Sequence, residues 1–199
     1  MIIEKTILQG SRVRLEPLAA THLPGLAAAI EDGALWELWF TTVPHPRELA
    51  RFYDLAQLQY QAGRELAFAT IDRATGKVLG STRYRAIEPA HKRLEIGSTF
   101  IAKSWQRTHV NSEAKLLMLQ HAFETLNFNR VELLTDELNE KSRAAILRLG
   151  ATQEAILRCH MVMRDGRVRN SVLYSLVADE WPRAKAKLSA ALSQTAQPA

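Results

Sequence analysis

The stretch from Ile101 to Lys115, IAKSWQRTHVNSEAK, joins residue types and an order that could do chemistry. A strand that runs through a short polar loop into a long helix leaves several backbone N–H groups at the helix start without intrahelical partners. Together with the helix dipole they make a seat for an anion, a phosphate or pyrophosphate included, without strictly requiring glycine. A plainer reading is an ordinary helix start capped by Asn111 or Ser112. Asn139 opens a second helical segment, NEKSRAAILRLGA, where its side chain suits an N-cap. Trp36, Trp39 and Phe40 precede two prolines in ALWELWFTTVPHP, and two tryptophans among polar neighbours fit a pocket wall, an interface or a core. Tyr84 and Tyr174 are further pocket candidates. Cys159, the single cysteine, has only His160 beside it as a basic neighbour and is not expected to act as a nucleophile.

These residues need a scaffold, and the hydrophobic periodicity supplies one. Arg12–Leu18 alternates at period two and reads as a strand, followed by a short helix through Leu23, Leu26, Ala27 and Ile30 that Thr21 can cap and that ends near Gly33. A second helix spans about Pro46 to Ala62, with Leu49, Phe52, Tyr53, Ala56 and Tyr60 at helical spacing. LAFATID and VLGSTRY flank a Thr75-Gly76 turn, and RLEIGSTFI completes a three-strand meander. The long helix after the Ile101–Lys115 junction builds its apolar face from Ala114, Leu117, Met118, His121, Ala122 and Leu126. Then come a strand, NRVELLTD, the helix opened by Asn139, and a hairpin of AILRCHMVM and RVRNSVLYSLV around Asp165-Gly166. Beyond Trp181 and Pro182 the chain has the composition of one or two basic helical turns with a frayed end.

Length and composition bound the class. A chain of 199 residues suits one large domain or a domain with a modest appendage. At 47% hydrophobic and 24% charged residues it is neither fibrous nor disordered. One cysteine cannot form an internal disulfide, and no paired Cys/His spacing points to a metal, so a reducing compartment and no metal are expected. Glu4 and Lys5 would interrupt the apolar core of a signal peptide and no 18-residue apolar run occurs, so the expected location is the cytoplasm, away from membranes. The formal charge of +5 is spread along the chain, which suits an anionic ligand but not a nucleic-acid partner.

The order of elements, with SWQRTHVNSEAKLLMLQHAFETLNFNRVELLTDELNEKSRAAILRLGA and MRDGRVRNSVLYSLVADEW, resembles the GCN5-related N-acetyltransferases, in the branch related to RimJ and RimL ribosomal-protein acetyltransferases. The resemblance covers residues 11–182, leaving 183–199 as a basic C-terminal tail. It implies a single α/β domain with a mixed, mostly antiparallel sheet flanked by helices. It also implies direct transfer of acetyl from acetyl-CoA to a primary amine, either a protein N-terminal α-amine or a small-molecule amine; a homodimer stays open. The family's pyrophosphate loop falls on Gln106, Arg107, Thr108, His109, Val110 and Asn111. His109 and Asn111 occupy its two small-residue positions. Asn tolerates the positive φ that glycine would supply there, while the His109 ring must turn away from the ligand. Asn139 matches the residue placed near the pantetheine arm, and Glu95 in RLEIG matches a general base, against the plain reading of a Glu on an alternating strand. The tyrosine that serves as general acid in many relatives is replaced by Ile146, and Ser142 matches the serine of RimL-like members, a residue that capping explains equally. With loop glycines and tyrosine gone, a weakly active or inactive CoA-binding protein on the same fold is the alternative. Trp36, Trp39 and Tyr84 are the expected substrate-pocket residues.

Overall fold

Apolar and polar residues alternate along most strands, and in the computed structural model, which describes residues 2–194, those strands make one sheet in the order β1-β2-β3-β4-β5-β6-β8-β7. They are β1 (Leu8–Gln9), β2 (Val13–Pro17), β3 (Leu66–Asp72), β4 (Val78–Glu88), β5 (Arg93–Ile101), β6 (Arg130–Asp136), β7 (Thr152–Val162) and β8 (Val168–Val177). Every neighbouring pair is antiparallel except β5 and β6. Five α-helices accompany them: α1 (Leu23–Glu31), α2 (Leu49–Gln61), α3 (His109–Gln120), α4 (Glu140–Arg148) and α5 (Trp181–Gln194). The architecture is the mixed, mostly antiparallel α/β fold that the sequence implies.

Helices cover both faces of the sheet, so a central strand must be apolar on both. β3 shows this: all seven of its residues are buried. Leu66 and Phe68 enter a core shared with Val110, Met118 and Leu119 of α3, Ile146 of α4 and Leu188 of α5. Ala67, Ala69 and Ile71 enter a second core with Leu26 and Ile30 of α1 and Leu49 and Ala56 of α2. Each fully buried Leu or Ile contributes about 1.5–3 kcal/mol relative to exposure. The β7–β8 turn uses Gly166 at φ 82°, where its N–H donates to Met163 O at 3.0 Å. β7 lies at the sheet edge and is exposed along most of its length.

Several local expectations change. Thr21 does not cap α1; a 3-10 turn, Ala20–His22, precedes the helix, and His22 accepts from Ala19 N at 3.1 Å. α3 begins earlier than the Asn111 or Ser112 caps require: Thr108 is its N-cap, its hydroxyl accepting from Val110 N at 3.3 Å. Residues 183–194 belong to the 14-residue helix α5, whose Trp181, Ala184 and Leu188 are buried in the first core; residues 195–199 of the expected tail lie outside the described residues. Two charged residues of α3 are buried where the sequence showed only an apolar face. Glu113 Oε1 accepts from Ser11 Oγ at 3.0 Å, Arg12 N at 2.8 Å and Val13 N at 3.3 Å, tying α3 to the β1–β2 turn. Lys115 Nζ donates to Thr82 Oγ1 at 3.0 Å and Thr99 Oγ1 at 2.7 Å, and burial pulls its pKa down to about 7.

Candidate active site

The parallel pairing of β5 with β6 covers only Arg93–Glu95 against Arg130–Glu132. Beyond it β5 continues to Ile101 and β6 to Asp136 without pairing to each other, so the two strands separate toward their C-terminal ends. Backbone polar groups along that opening have lost their ladder partners and are available to a ligand. Because the strands are parallel, the helices that follow them, α3 and α4, start at the same edge of the sheet. Two helix N-termini thus flank a cleft between diverging strand ends, the kind of place where ligands bind in α/β sheets.

β5 is irregular at this opening. Arg83 pairs with Gly97 and Ser81 with Phe100, so Ser98 and Thr99 together face Thr82 in a bulge, with Ser98 at φ 47°. The bulge turns Thr99 toward Lys115 on the α3 face. Glu95 and Gly97, before it, share the opposite face with Arg83 and Arg85 of β4, which are their direct cross-strand partners.

Glu95 is 14% exposed and lies 3.5 Å from Arg85 Nη1. Burial raises its pKa, Arg85 opposes the rise, and the nearby Glu132 and Glu65 carboxylates add to it. Gly97 leaves room for this carboxylate: a Cβ there would collide with Glu95 Oε1 and come within 3.2 Å of Arg85 Cδ. On the same face a cavity of about 220 Å³ is bounded by Val43, by Phe52 and Leu55 of α2, by Glu65, Arg83 and Arg85, and by Ser98–Phe100 of β5. Glu65 accepts from Arg83 at 2.8 Å and from Arg85 at 3.3 Å.

The loop from Ala102 to Thr108 is held firmly at both sides. Asp32, at the end of α1, accepts from Ser104 Oγ at 2.5 Å and from Lys103 N through its carbonyl at 2.9 Å. Gln106 Nε2 donates back to Ile101 O at 3.0 Å. The positive φ expected at Asn111 is not there; both His109 and Asn111 are helical, and the left-handed residue is Arg107 at φ 62°, exposed at the loop tip. The His109 ring packs edge-on to Trp105 with centroids 6.5 Å apart, and burial together with Arg12 lowers its pKa. Val110 is fully buried and serves the core. Thr108 caps one N–H of the first turn, leaving the others facing the cleft end.

At α4, Asn139 Oδ1 accepts from Ser142 N at 3.1 Å, the N-cap bond that residue type implies. Arg143 is half-buried, its Nε donating to Tyr174 Oη at 3.2 Å.

The expected pocket aromatics fall elsewhere. Tyr84 is wholly buried on the α3 face, where its hydroxyl donates to Met118 O at 2.7 Å and its ring stacks on His121, so it is a core residue and lines no substrate pocket. Tyr174 is equally buried. Trp36 packs on the second core and against His45, with ring centroids 4.9 Å apart. Trp39 is 51% exposed beneath the Arg167 guanidinium, which pairs in turn with Asp136 at the end of β6. The cavity wall is made instead by Thr41–Val43, just after them. Sequence reading missed Glu65, Arg83, Arg85, Phe52 and Lys115 as neighbours of the site. The one signal for the arginines is their alternation in STRYR, which puts them on a common face.

Among the described residues no group of three or more His, Cys, Asp or Glu side chains could hold a metal ion, and no helix is long and apolar enough to cross a membrane. Residues 12–152 match the family model of the acetyltransferase (GNAT) domain. The uncharacterized N-acetyltransferase YoaA of Bacillus subtilis (strain 168) is 26% identical over 145 residues, 65% of this chain and 81% of that protein. A GCN5-related N-acetyltransferase from Brucella melitensis superposes with a TM-score of 0.85 at 34% identity, over 96% of this chain and 87% of that one. Mycobacterium smegmatis RimJ, solved in complex with CoA-disulfide, shares the fold with a TM-score of 0.78 at 21% identity, over 94% of this chain and 92% of that one.

Proposed function

The chain belongs to the GNAT acetyltransferase domain family, and from that premise we propose that it transfers acetyl from acetyl-CoA directly to a primary amine, with Glu95 as general base. The observation that carries the reading is the placement of Glu95: a largely buried carboxylate with a raised pKa, cross-strand from Arg85, which lines the 220 Å³ cavity beside the β5 bulge.

The chain's groups divide the work. The widening gap between β5 and β6 and the first turn of α3, from Thr108 to Asn111, fit the extended CoA body, with unpaired N–H groups and the exposed Arg107 for its pyrophosphate and Asn139 at the start of α4 beside the pantetheine arm. Acetyl-CoA supplies the activated acyl group. A proton leaves the amine as its nitrogen is acylated, and Glu95 takes it; a raised pKa brings a carboxylate closer to the working range of a base near pH 7. Ser142, in the first turn of α4, is the candidate proton donor to the departing thiolate. A thiol with pKa about 8.5 also leaves unaided, so Ser142→Ala should have a smaller effect than loss of Glu95.

One base favours an acidic amine. An α-amine of pKa about 7.7–8.0 is roughly a tenth neutral at pH 7, whereas a lysine amine near 10.4 is neutral only about four parts in ten thousand. That gap of about 2.5 units is worth roughly 3.4 kcal/mol of deprotonation, so the acceptor is an α-amine or a comparably acidic small amine.

The test is a panel of amines with release of CoA thiol as the signal, on wild type and Glu95→Gln. In the wild type, kcat/KM should climb with pH through the Glu95 ionisation, above the ordinary carboxylate range. Glu95→Gln should lose about 10²-fold in kcat with acetyl-CoA affinity little changed. An unaltered kcat returns Glu95 to a structural role, and CoA binding without turnover of any amine marks a binding protein.

A further inference from the structure

We propose that the acceptor is an amine bearing a carboxylate within the reach of a single residue, and that Arg83, one ladder row further from Glu95 than Arg85, recognises that carboxylate, with Arg85 between the two ends. This rests on the reading of Glu95 as the group that receives the amine.

Arg83 is the main observation. Its side chain is only 9% exposed, yet it lines the cavity. Its Nη1 donates to Glu65 at 2.8 Å and its guanidinium lies 4.3 Å from the Phe52 ring centroid, which fixes the plane of the group. Its Nε is buried and has no hydrogen-bond acceptor among the described residues. A guanidinium presents its donors as a rigid fork, and a buried donor left without a partner is destabilising. A carboxylate is the ligand group that matches such a fork.

The charges around the cavity point the same way. Its lining holds two guanidiniums, Arg83 and Arg85, against one carboxylate, Glu65, which both of them share. Glu95 sits outside the lining, at the Arg85 end. The Arg83–Gly97 and Arg85–Glu95 pairs are successive same-face rows of an antiparallel ladder, roughly 7 Å apart. An amine arriving protonated is attracted to the Glu95 row, and a carboxylate to the Arg83 row. A plain alkylamine would bring no partner to the Arg83 guanidinium beyond Glu65, and a plain carboxylic acid would meet Glu95. A zwitterion pairs both ends.

Size and wall chemistry narrow the class. About 220 Å³ is below the roughly 300–1,000 Å³ of sites that hold drug-sized ligands, and suits one amino-acid-sized group. Val43, Phe52 and Leu55 give one side of it an apolar surface. Two sources offer this chemistry: a polypeptide whose first residue is acidic, which keeps the acidic α-amine favoured above, and a free amino acid with an apolar side chain, whose own carboxylate makes its amine less acidic and leaves more deprotonation to Glu95.

The experiment measures binding to the CoA-loaded protein by calorimetry, so that it does not depend on turnover, for leucine against leucinamide and for the C-terminally amidated peptides Glu-Ala-Ala and Gln-Ala-Ala. At least one acid form should bind tenfold or more tighter than its amide, leucine marking a free amino acid and Glu-Ala-Ala an acidic N-terminus. Arg83→Met should abolish the preference and Arg83→Lys restore part of it. Arg85→Met, at a side chain 39% exposed, should weaken the preference in a protein whose fold it spares. The inference is overturned if acid and amide bind alike, if neither acid binds, or if the arginine variants weaken acid and amide equally. If the acid form binds in preference but acetyl-CoA turnover is absent, recognition stands and the transfer reading falls.

Discussion

Replacing Lys115 by methionine should make the protein more stable below neutral pH. Lys115 Nζ is buried against two threonine hydroxyls, and burial has pulled its pKa from 10.5 to about 7. The unfolded chain therefore keeps this proton up to about pH 10.4, while the folded chain gives it up near pH 7. Between those limits the unfolded state binds more protons, so the Lys115 contribution makes stability rise with pH by up to about 1.4 kcal/mol per unit. Below the lower limit both states are protonated and the whole penalty is present. At 1.36 kcal/mol per unit, a drop from 10.5 to about 7 corresponds to roughly 5 kcal/mol. Methionine keeps the length of the side chain, and Thr82 and Thr99 keep their mutual bond of 2.8 Å. Allowing about 1–3 kcal/mol for the lost ammonium hydrogen bonds, Lys115→Met should gain roughly 2–4 kcal/mol at pH 6; the wild type recovers about 4 kcal/mol by pH 10, where the variant should be equal to it or less stable by up to about 2 kcal/mol. Urea unfolding of both proteins at pH 6, 8 and 10, with the m-value checked for constancy, gives the difference directly. A variant less stable than wild type at pH 6, or a difference that does not change with pH, would mean that Lys115 carries no penalty for its buried charge.

Two further substitutions probe the catalytic face and the CoA end. Gly97→Ala should push the Glu95 carboxylate off its seat and lower kcat in amine turnover while acetyl-CoA affinity holds; an unchanged kcat would mean that the Glu95 position does not matter. Thr108→Ala should remove about 1 kcal/mol of stability through the lost α3 cap. Acetyl-CoA at 100 times Kd should stabilise the wild type by about 2.7 kcal/mol, and the same concentration should stabilise Thr108→Ala less; equal thermal shifts would take the α3 N-terminus out of the CoA site.

The backbone plan was readable because periodicity is local. RLEIGSTFI is β5, and the Asn139 cap and the Asp165-Gly166 turn sit where their side-chain chemistry requires. What could not be read depends on register. Arg83 and Arg85 look like the wet face of a strand until β4 is laid against β5 and against β3, which Glu65 directly precedes; this brings four charged side chains together. Tyr84, between them, must then point to the other face and into the core. The strained backbone was expected at Asn111 because the family pattern places small residues there. The helix starts two residues sooner, so the left-handed turn falls on Arg107. Aromatic mass at Trp36 and Trp39 drew attention one step too early, since the wall of the cavity begins at Thr41.

The bond set of Glu113 also constrains the order of events during synthesis. Ser11, Arg12 and Val13 are separated from this carboxylate by 102, 101 and 100 positions. At roughly 5–20 residues per second, about 5–20 s pass between translation of the donors and translation of their acceptor. Throughout that interval the Arg12 and Val13 N–H groups lack this acceptor, and β2 can pair with β3 before the turn is locked. The first edge of the sheet to be made thus waits for the middle of the chain to secure it, through the same helix whose opening turn is the proposed seat of CoA.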